Sequence, residues 1–157
     1  MNHCGTCTEC CYYMEVSDIR KPVCHDCQHL QPVDFVNVPT GTNIGKFKGC
    51  SIYEARPQPC RDFECLWLQS QSKDRPMPRK LRPDTCGVMF VATTRSNTIA
   101  AHSRHPAALG AGERLRNFVY GMLKGGVDIV HICGSKRTLI SWAPKRLNTQ
   151  IASDSKV

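Results

Sequence analysis

Three observations predict an α+β fold in which an irregular cysteine-rich region precedes a small antiparallel sheet with one helix, in the order ββαββ. Nine of the eleven cysteines lie in the first 65 of 157 residues. Hydrophobic periodicity is poor there and becomes regular only after residue 84. Charge divides near the same boundary: residues 1–72 carry 6 Lys/Arg against 8 Asp/Glu, and residues 73–157 carry 15 against 5. The expected organisation is a cysteine-rich region at 1–69, a basic Pro-containing connector at 70–84, a small α+β region at 85–145 and a polar tail at 146–157.

In the N-terminal region Gly, Pro, Asp and Asn recur, and no amphipathic stretch exceeds a few residues. PVDFVNVPTGTNIGKF holds a short strand-like stretch ended by Pro39 and a Gly-containing turn. A short helix is expected from Arg61 to Gln69, with Phe63, Leu66 and Trp67 on one side; Pro57 and Pro59 bar an earlier start. Beyond the connector SKDRPMPRKLRPD, CGVMFVATT and NTIAAHS read as two strands joined by the turn TRSN. AALGAGERLRNFVYGMLKGG reads as a helix. Leu115, Phe118, Val119 and Met122 recur at i, i+3, i+4 and i+7, and Gly125–Gly126 supplies the stop. VDIVHIC is a third strand, GSKR a turn and TLISWA a fourth strand. Two strands, a helix and two strands imply an antiparallel sheet covered by the helix on one face. No internal repeat is present.

A region this poor in periodicity cannot bury enough apolar surface to fold by itself, and it needs staples. No run of 18 apolar residues occurs, so no membrane-spanning helix is expected. The N-terminus lacks the basic-then-apolar order of a secretory signal. A cytoplasmic location is therefore expected, and there thiols stay reduced. Eleven cysteines in a reducing compartment point to metal before disulfides. The spacing agrees. Cys4/Cys7, Cys7/Cys10 and Cys24/Cys27 each enclose two residues, a turn tight enough for both thiolates to reach one tetrahedral ion. Adjacent Cys10 and Cys11 point apart and would most easily serve two ions, or one would ligate while the other packs. The candidate ligands are Cys4, Cys7, Cys10, Cys11, Cys24, Cys27, Cys50, Cys60 and Cys65. They exceed what one four-ligand site can use. A metal-stapled region with two Zn2+ ions is expected, with iron or an iron–sulfur cluster as the alternative.

Other readings of these residues stand beside that one: disulfides, small buried hydrophobes, or a catalytic thiol, for which no Cys–His–Asn pattern is present. Cys86 opens a predicted strand, Cys133 closes one, and neither has a CxxC partner. Both read as buried hydrophobes. His25 and His29, in and beside the Cys24/Cys27 knuckle, are reserve ligands. His102 and His105 flank Ser-Arg and read as exposed loop histidines.

CGTCTECC, KPVCHDCQHL and GCSIYEARPQPCRDFECLWL together resemble the CxxCxxCC cysteine-cluster family of zinc- or iron-chelating proteins. The most specific block, C-x-IYE-x-RP-x-x-CR-x-F-x-C, runs from Cys50 to Cys65. LRPDTCGVMF also looks like the continuation found in some members. The resemblance covers residues 4–69, and 81–90 more loosely. It implies that the nine cysteines named above are the ligands. It implies metal binding but no particular reaction. Arg56 and Arg61 bracket the Pro-Gln-Pro turn, where guanidinium groups would offset the negative charge of a tetrathiolate site; solvated arginines are the alternative. Tyr53 and Phe63 are expected to pack around the site. Cys60 and Cys65 are five apart, which is about 140° on one helix. Either the helix starts after Cys60 or the two serve different ions.

The expected function is metal binding in which the metal is structural and the protein works by contact with a partner, rather than as an enzyme. The basic C-terminal half would attract nucleic acid or another acidic surface, although aromatics are sparse there and no recognised nucleic-acid motif is present. The polar tail NTQIASDSKV would be tied down by a partner. The leading alternative is thus a structural component of a large assembly, such as a virus particle or its tail, with a virion location. The second alternative is an iron–sulfur redox enzyme. Against it, Cys11 follows Cys10 directly and breaks the ferredoxin spacing, and no Gly-rich cofactor loop or paired carboxylates accompany the cysteines.

Overall fold

The computed structural model describes residues 6–37 and 42–142. Cys4, the turn at Pro39–Gly41 and the tail at 146–157 lie outside the described residues. Helix α1 (Glu9–Tyr13) and a 3-10 turn (Ser17–Ile19) lead into strands β1 (Leu30–Asn37) and β2 (Thr42–Cys50). Helices α2 (Gln58–Asp62) and α3 (Leu66–Ser70) follow, then a 3-10 turn (Arg79–Leu81) and α4 (Pro83–Cys86). The remainder is β3 (Val88–Ala92), β4 (Thr98–Ser103), α5 (Glu113–Lys124), β5 (Asp128–Cys133) and β6 (Lys136–Ile140).

The ββαββ order is present, but the sheet is mixed rather than antiparallel. Its strands lie in the order β3-β4-β5-β6. The β3/β4 and β5/β6 pairs are antiparallel, while β4 and β5 run parallel in the register Thr98↔Asp128 to Ser103↔Cys133. The connection through α5 is the cause. A helical crossover returns the chain to the end of the sheet from which it left, so the strand after it runs parallel to the strand before it. The predicted GSKR turn is also shorter than expected, because β6 already begins at Lys136.

The helix expected from Arg61 to Gln69 is two helices. Phe63 is extended (ψ 124°), and Cys65 stands extended before α3 with ψ 162°. Neither Pro57 nor Pro59 prevents an earlier start. Pro59 sits in the first turn of α2, where a missing N–H costs nothing. The single strand expected near residue 33 is a two-stranded hairpin of its own. Most of the basic connector is exposed, and Leu81 and Pro83 near its end are buried.

Strand β3 explains how the halves join. In a strand, successive side chains face opposite ways, yet Val88, Met89 and Phe90 are all buried. Val88 and Phe90 meet Leu81, Ala101, Leu109, Leu115 and Ile129 in the main core, onto which Phe118, Val119 and Met122 of α5 pack. Met89, on the other face, packs with Tyr13, Cys65 and Leu68. The cysteine-rich region therefore caps one face of the sheet, and α5 the other.

Ser103 and His131 form a buried pair between β4 and β5, Oγ to Nε2 at 2.7 Å. The serine hydroxyl donates to the His105 carbonyl at 2.8 Å. Its single proton is thus committed, so Nε2 is the donor to Oγ. The pair knits the sheet, and His131 does not act as a base on Ser103. Contrary to expectation, His102 lies within β4, half-buried, with its ring 5.5 Å from that of Tyr13. Burial holds both imidazoles below the ordinary histidine range, and Arg137 and His131 add to this at His102. Below the unfolded-state value of 6.5, the unfolded chain takes up protons that the folded chain resists. Stability carried by the neutral rings is therefore full above pH 6.5 and lost as pH falls. Urea unfolding followed from about pH 7.5 to about pH 5.5 should show this loss, and H102F should show less of it.

Candidate thiolate centre

Four chain segments bring thiols together, each by its own local device. Helix α1 carries Cys10 and Cys11 and is pinned to the sheet at two points. Tyr13 enters the Met89 cluster, and the Arg104 guanidinium lies 3.7 Å from the Tyr12 ring centroid and 3.6 Å from the Glu9 carboxylate. The second segment begins with a tight turn. Val16 and Lys21 exchange backbone hydrogen bonds at 3.0 Å, closed through Arg20 at φ 52°. Cys24 (φ 58°) then opens the Cys24–Cys27 knuckle.

The hairpin supplies the third segment. Its register, Leu30↔Cys50, returns the chain beside the knuckle, so Cys50 arrives near Cys27 despite the sequence distance. An exposed ion pair, Lys48 to Asp26 at 2.8 Å, ties strand to knuckle and contributes little energy. The fourth segment is the Arg56–Cys65 block, where Cys60 sits in α2. The Arg56 guanidinium stacks 3.8 Å over the Tyr53 ring, and Arg61 Nε donates to the Arg56 carbonyl at 2.8 Å.

The electrostatics record the gathering. Burial raises the Cys60 thiol, and Cys11, Cys27 and Cys50 raise it further while Arg56 opposes them. Burial likewise raises Cys50, with Cys11 and Cys27 adding to it. Cys11 is lowered, first by a hydrogen bond from the Cys10 thiol and then by Lys21 and Arg56. Cys11, Cys27, Cys50 and Cys60 thus share one field. Cys7, Cys10 and Cys65 form a separate neighbourhood, lining a small apolar cavity with Phe63, Leu68 and Met89. Cys24 packs beside that cluster and acts by charge on Lys21 and Tyr13. Cys10 lines that cavity and its thiol also hydrogen-bonds Cys11, so the adjacent pair bridges the two neighbourhoods.

The donors suit a thiophilic ion in kind and number, but they are gathered and not closed. Among the described residues no three Cys, His, Asp or Glu side chains stand where they could hold a metal ion together. No disulfide links any two of the ten described cysteines. Were a metal bound, Cys11, Cys27, Cys50 and Cys60 would be the thiolates nearest to holding it, with Lys21 and Arg56 offsetting their charge.

The remaining candidates fall elsewhere. His25 is exposed, and its Nδ1 lies 2.9 Å from the Val23 carbonyl. His29 is half-buried beside the Gln28 amide. Of the two arginines, Arg56 stands by the thiols, while exposed Arg61 supports it through the backbone. Phe63 lines the cavity. Cys86 ends α4 rather than opening a strand, and its Sγ lies within hydrogen-bond reach of the Leu81 and Val88 carbonyls. Cys133 ends β5, paired with Ser103 of β4 and Lys136 of β6. Replacing Cys86 or Cys133 with Ala should leave the metal content of the purified protein unchanged, as elemental analysis will test. Sequence reasoning missed Lys21, which is 5% exposed at the centre of this arrangement. A single Lys beside Pro22 carries no sequence signal of burial.

Compared with family models, with curated proteins and with solved structures, the chain matches none. Among the described residues no helix is long and apolar enough to cross a membrane.

Proposed function

We propose that the protein is a thiolate metal-binding protein of the cysteine-cluster kind, in which zinc, or alternatively iron, serves as a structural staple and the chain acts by contact with a partner. The observation that carries this reading is that the fold brings Cys11, Cys27, Cys50 and Cys60 from four separate segments close enough to bear on one another's ionisation, with Arg56 beside them. Among residues 6–34 and 45–62, Tyr13 and Val16 are the buried apolar side chains. A two-stranded hairpin such as β1/β2 is marginal in water without support. Metal binding to such a site is folding free energy.

Contact with a partner is supported by exposed apolar side chains. Tyr120 of α5 and Trp142 stack edge to face at 5.2 Å and are both exposed, and Leu139 of β6 is exposed too. Protein purified without added metal should contain one to two equivalents of a thiophilic metal, and its visible spectrum separates colourless zinc from iron–sulfur. Less than about one equivalent, with the cysteines in disulfides, would sink the proposal.

A further inference from the structure

Lys21 is an anomaly that metal binding alone does not account for. Lysine is almost never fully buried unless paired, yet this one is 5% exposed and has no carboxylate partner among the ion pairs of the described residues. All three ammonium protons are taken up by backbone carbonyls. Nζ donates to the Tyr12 and Pro22 carbonyls at 3.0 Å and to that of Met14. Tyr12 and Met14 follow Cys10–Cys11, and Pro22 precedes the Cys24–Cys27 knuckle. One side chain thus fastens together the two segments that carry Cys10, Cys11, Cys24 and Cys27. Its position is fixed independently by the paired backbone of Val16 and Lys21.

The charge on Lys21 also has recipients. Burial disfavours the ammonium, and Cys27, Cys11, Cys24 and Cys10 are its next largest influences, each favouring it. A tetrathiolate around a divalent ion carries excess negative charge in a partly dehydrated site, and a fixed cation beside it lowers that cost. Three carbonyl acceptors hold the ammonium in place and give it no anion to neutralise.

We propose that Lys21 is the built-in counter-charge of the thiolate centre: a positioning residue that clasps the Cys10–Cys11 and Cys24–Cys27 segments and offsets the charge of their loaded thiolates. This rests on the metal-binding reading above. It predicts that the ammonium is needed for affinity and not for the number of ions bound.

The test is a zinc competition titration against a chromophoric chelator, run on wild type, K21Q and K21M, with circular dichroism of each zinc-loaded protein. Gln keeps hydrogen-bond donors and discards the charge. Both variants should bind zinc about 10–100-fold more weakly than wild type, with the same number of ions. A K21Q affinity within about twofold of wild type would overturn the charge role and leave Lys21 a hydrogen-bonding clasp. Should K21Q fail to fold with zinc present, K21R carries the test, because it keeps the charge with a different donor geometry. Affinity near wild type is expected for K21R, and a loss equal to that of K21M overturns the proposal. Wild type that binds no zinc overturns the metal reading and this proposal with it.

Discussion

Stripping zinc from the loaded protein with a chelator should unfold residues 6–62 and leave the mixed sheet folded. The magnitude follows from what each part buries. Strands β3–β5 and their coverings hold Val88, Phe90, Ala101, Leu109, Leu115 and Ile129, a core that needs no metal. Residues 6–34 and 45–62 bury the apolar side chains of Tyr13 and Val16. In small domains built around zinc, the metal supplies about 10–16 kcal/mol. Hydrogen exchange is the measurement. Amides of β1, β2 and α2 should lose protection on chelation, while those of β4, α5 and β5 keep it. Equal loss in both sets would mean that metal and sheet form one cooperative unit.

Met89→Ala should have the second largest effect. Met89 is 2% exposed and faces Tyr13, Cys65 and Leu68, so its removal opens a cavity at the join between the cysteine-rich region and the sheet. Truncating a buried Met to Ala costs about 2–5 kcal/mol. The site lies on the face away from the main core, so the expected outcome is an uncoupling: thermal unfolding of the loaded protein should broaden or split while zinc content stays constant. A loss of zinc in M89A would show that the sheet face positions the ligands directly.

How much of this was legible in the sequence depends on the kind of signal. Helix α5 is written in its periodicity, and Leu115, Phe118, Val119 and Met122 all pack where that pattern puts them. The strands β3, β4, β5 and β6 were also readable. The parallel β4/β5 pair was not, because periodicity identifies strands but not their direction. The hairpin was hidden for a different reason. Strand β2 contains Gly45 and Gly49, with Gly45 at φ 110°, and β1 contains Pro32; these residues suppress the strand signal and are tolerated in a two-stranded edge pair. A sheet covered on one face was expected, and Met89, between Val88 and Phe90, is buried beneath Tyr13, Cys65 and Leu68 on the other.

Within the candidate site, the spacing of the cysteines named candidate donors but could not sort them. Cys10 and Cys11 are placed by a helix anchored by Tyr13 and Arg104. Cys27 and Cys50 meet only through the hairpin register. Lys21 reaches the Tyr12 and Met14 carbonyls because the turn through Arg20 carries it inward. Each of these depends on tertiary structure that no local pattern encodes.

The most direct test of the thiolate centre is X-ray absorption at the zinc edge on the loaded wild-type protein, repeated on C11S. The expected wild-type result is a shell of sulfur neighbours at about 2.3 Å, four to each ion and with no water. C11S should lose about one equivalent of zinc or show an oxygen or nitrogen in place of one sulfur. A wild-type shell dominated by oxygen or nitrogen at about 2.0–2.2 Å, unchanged in C11S, would contradict the thiolate centre.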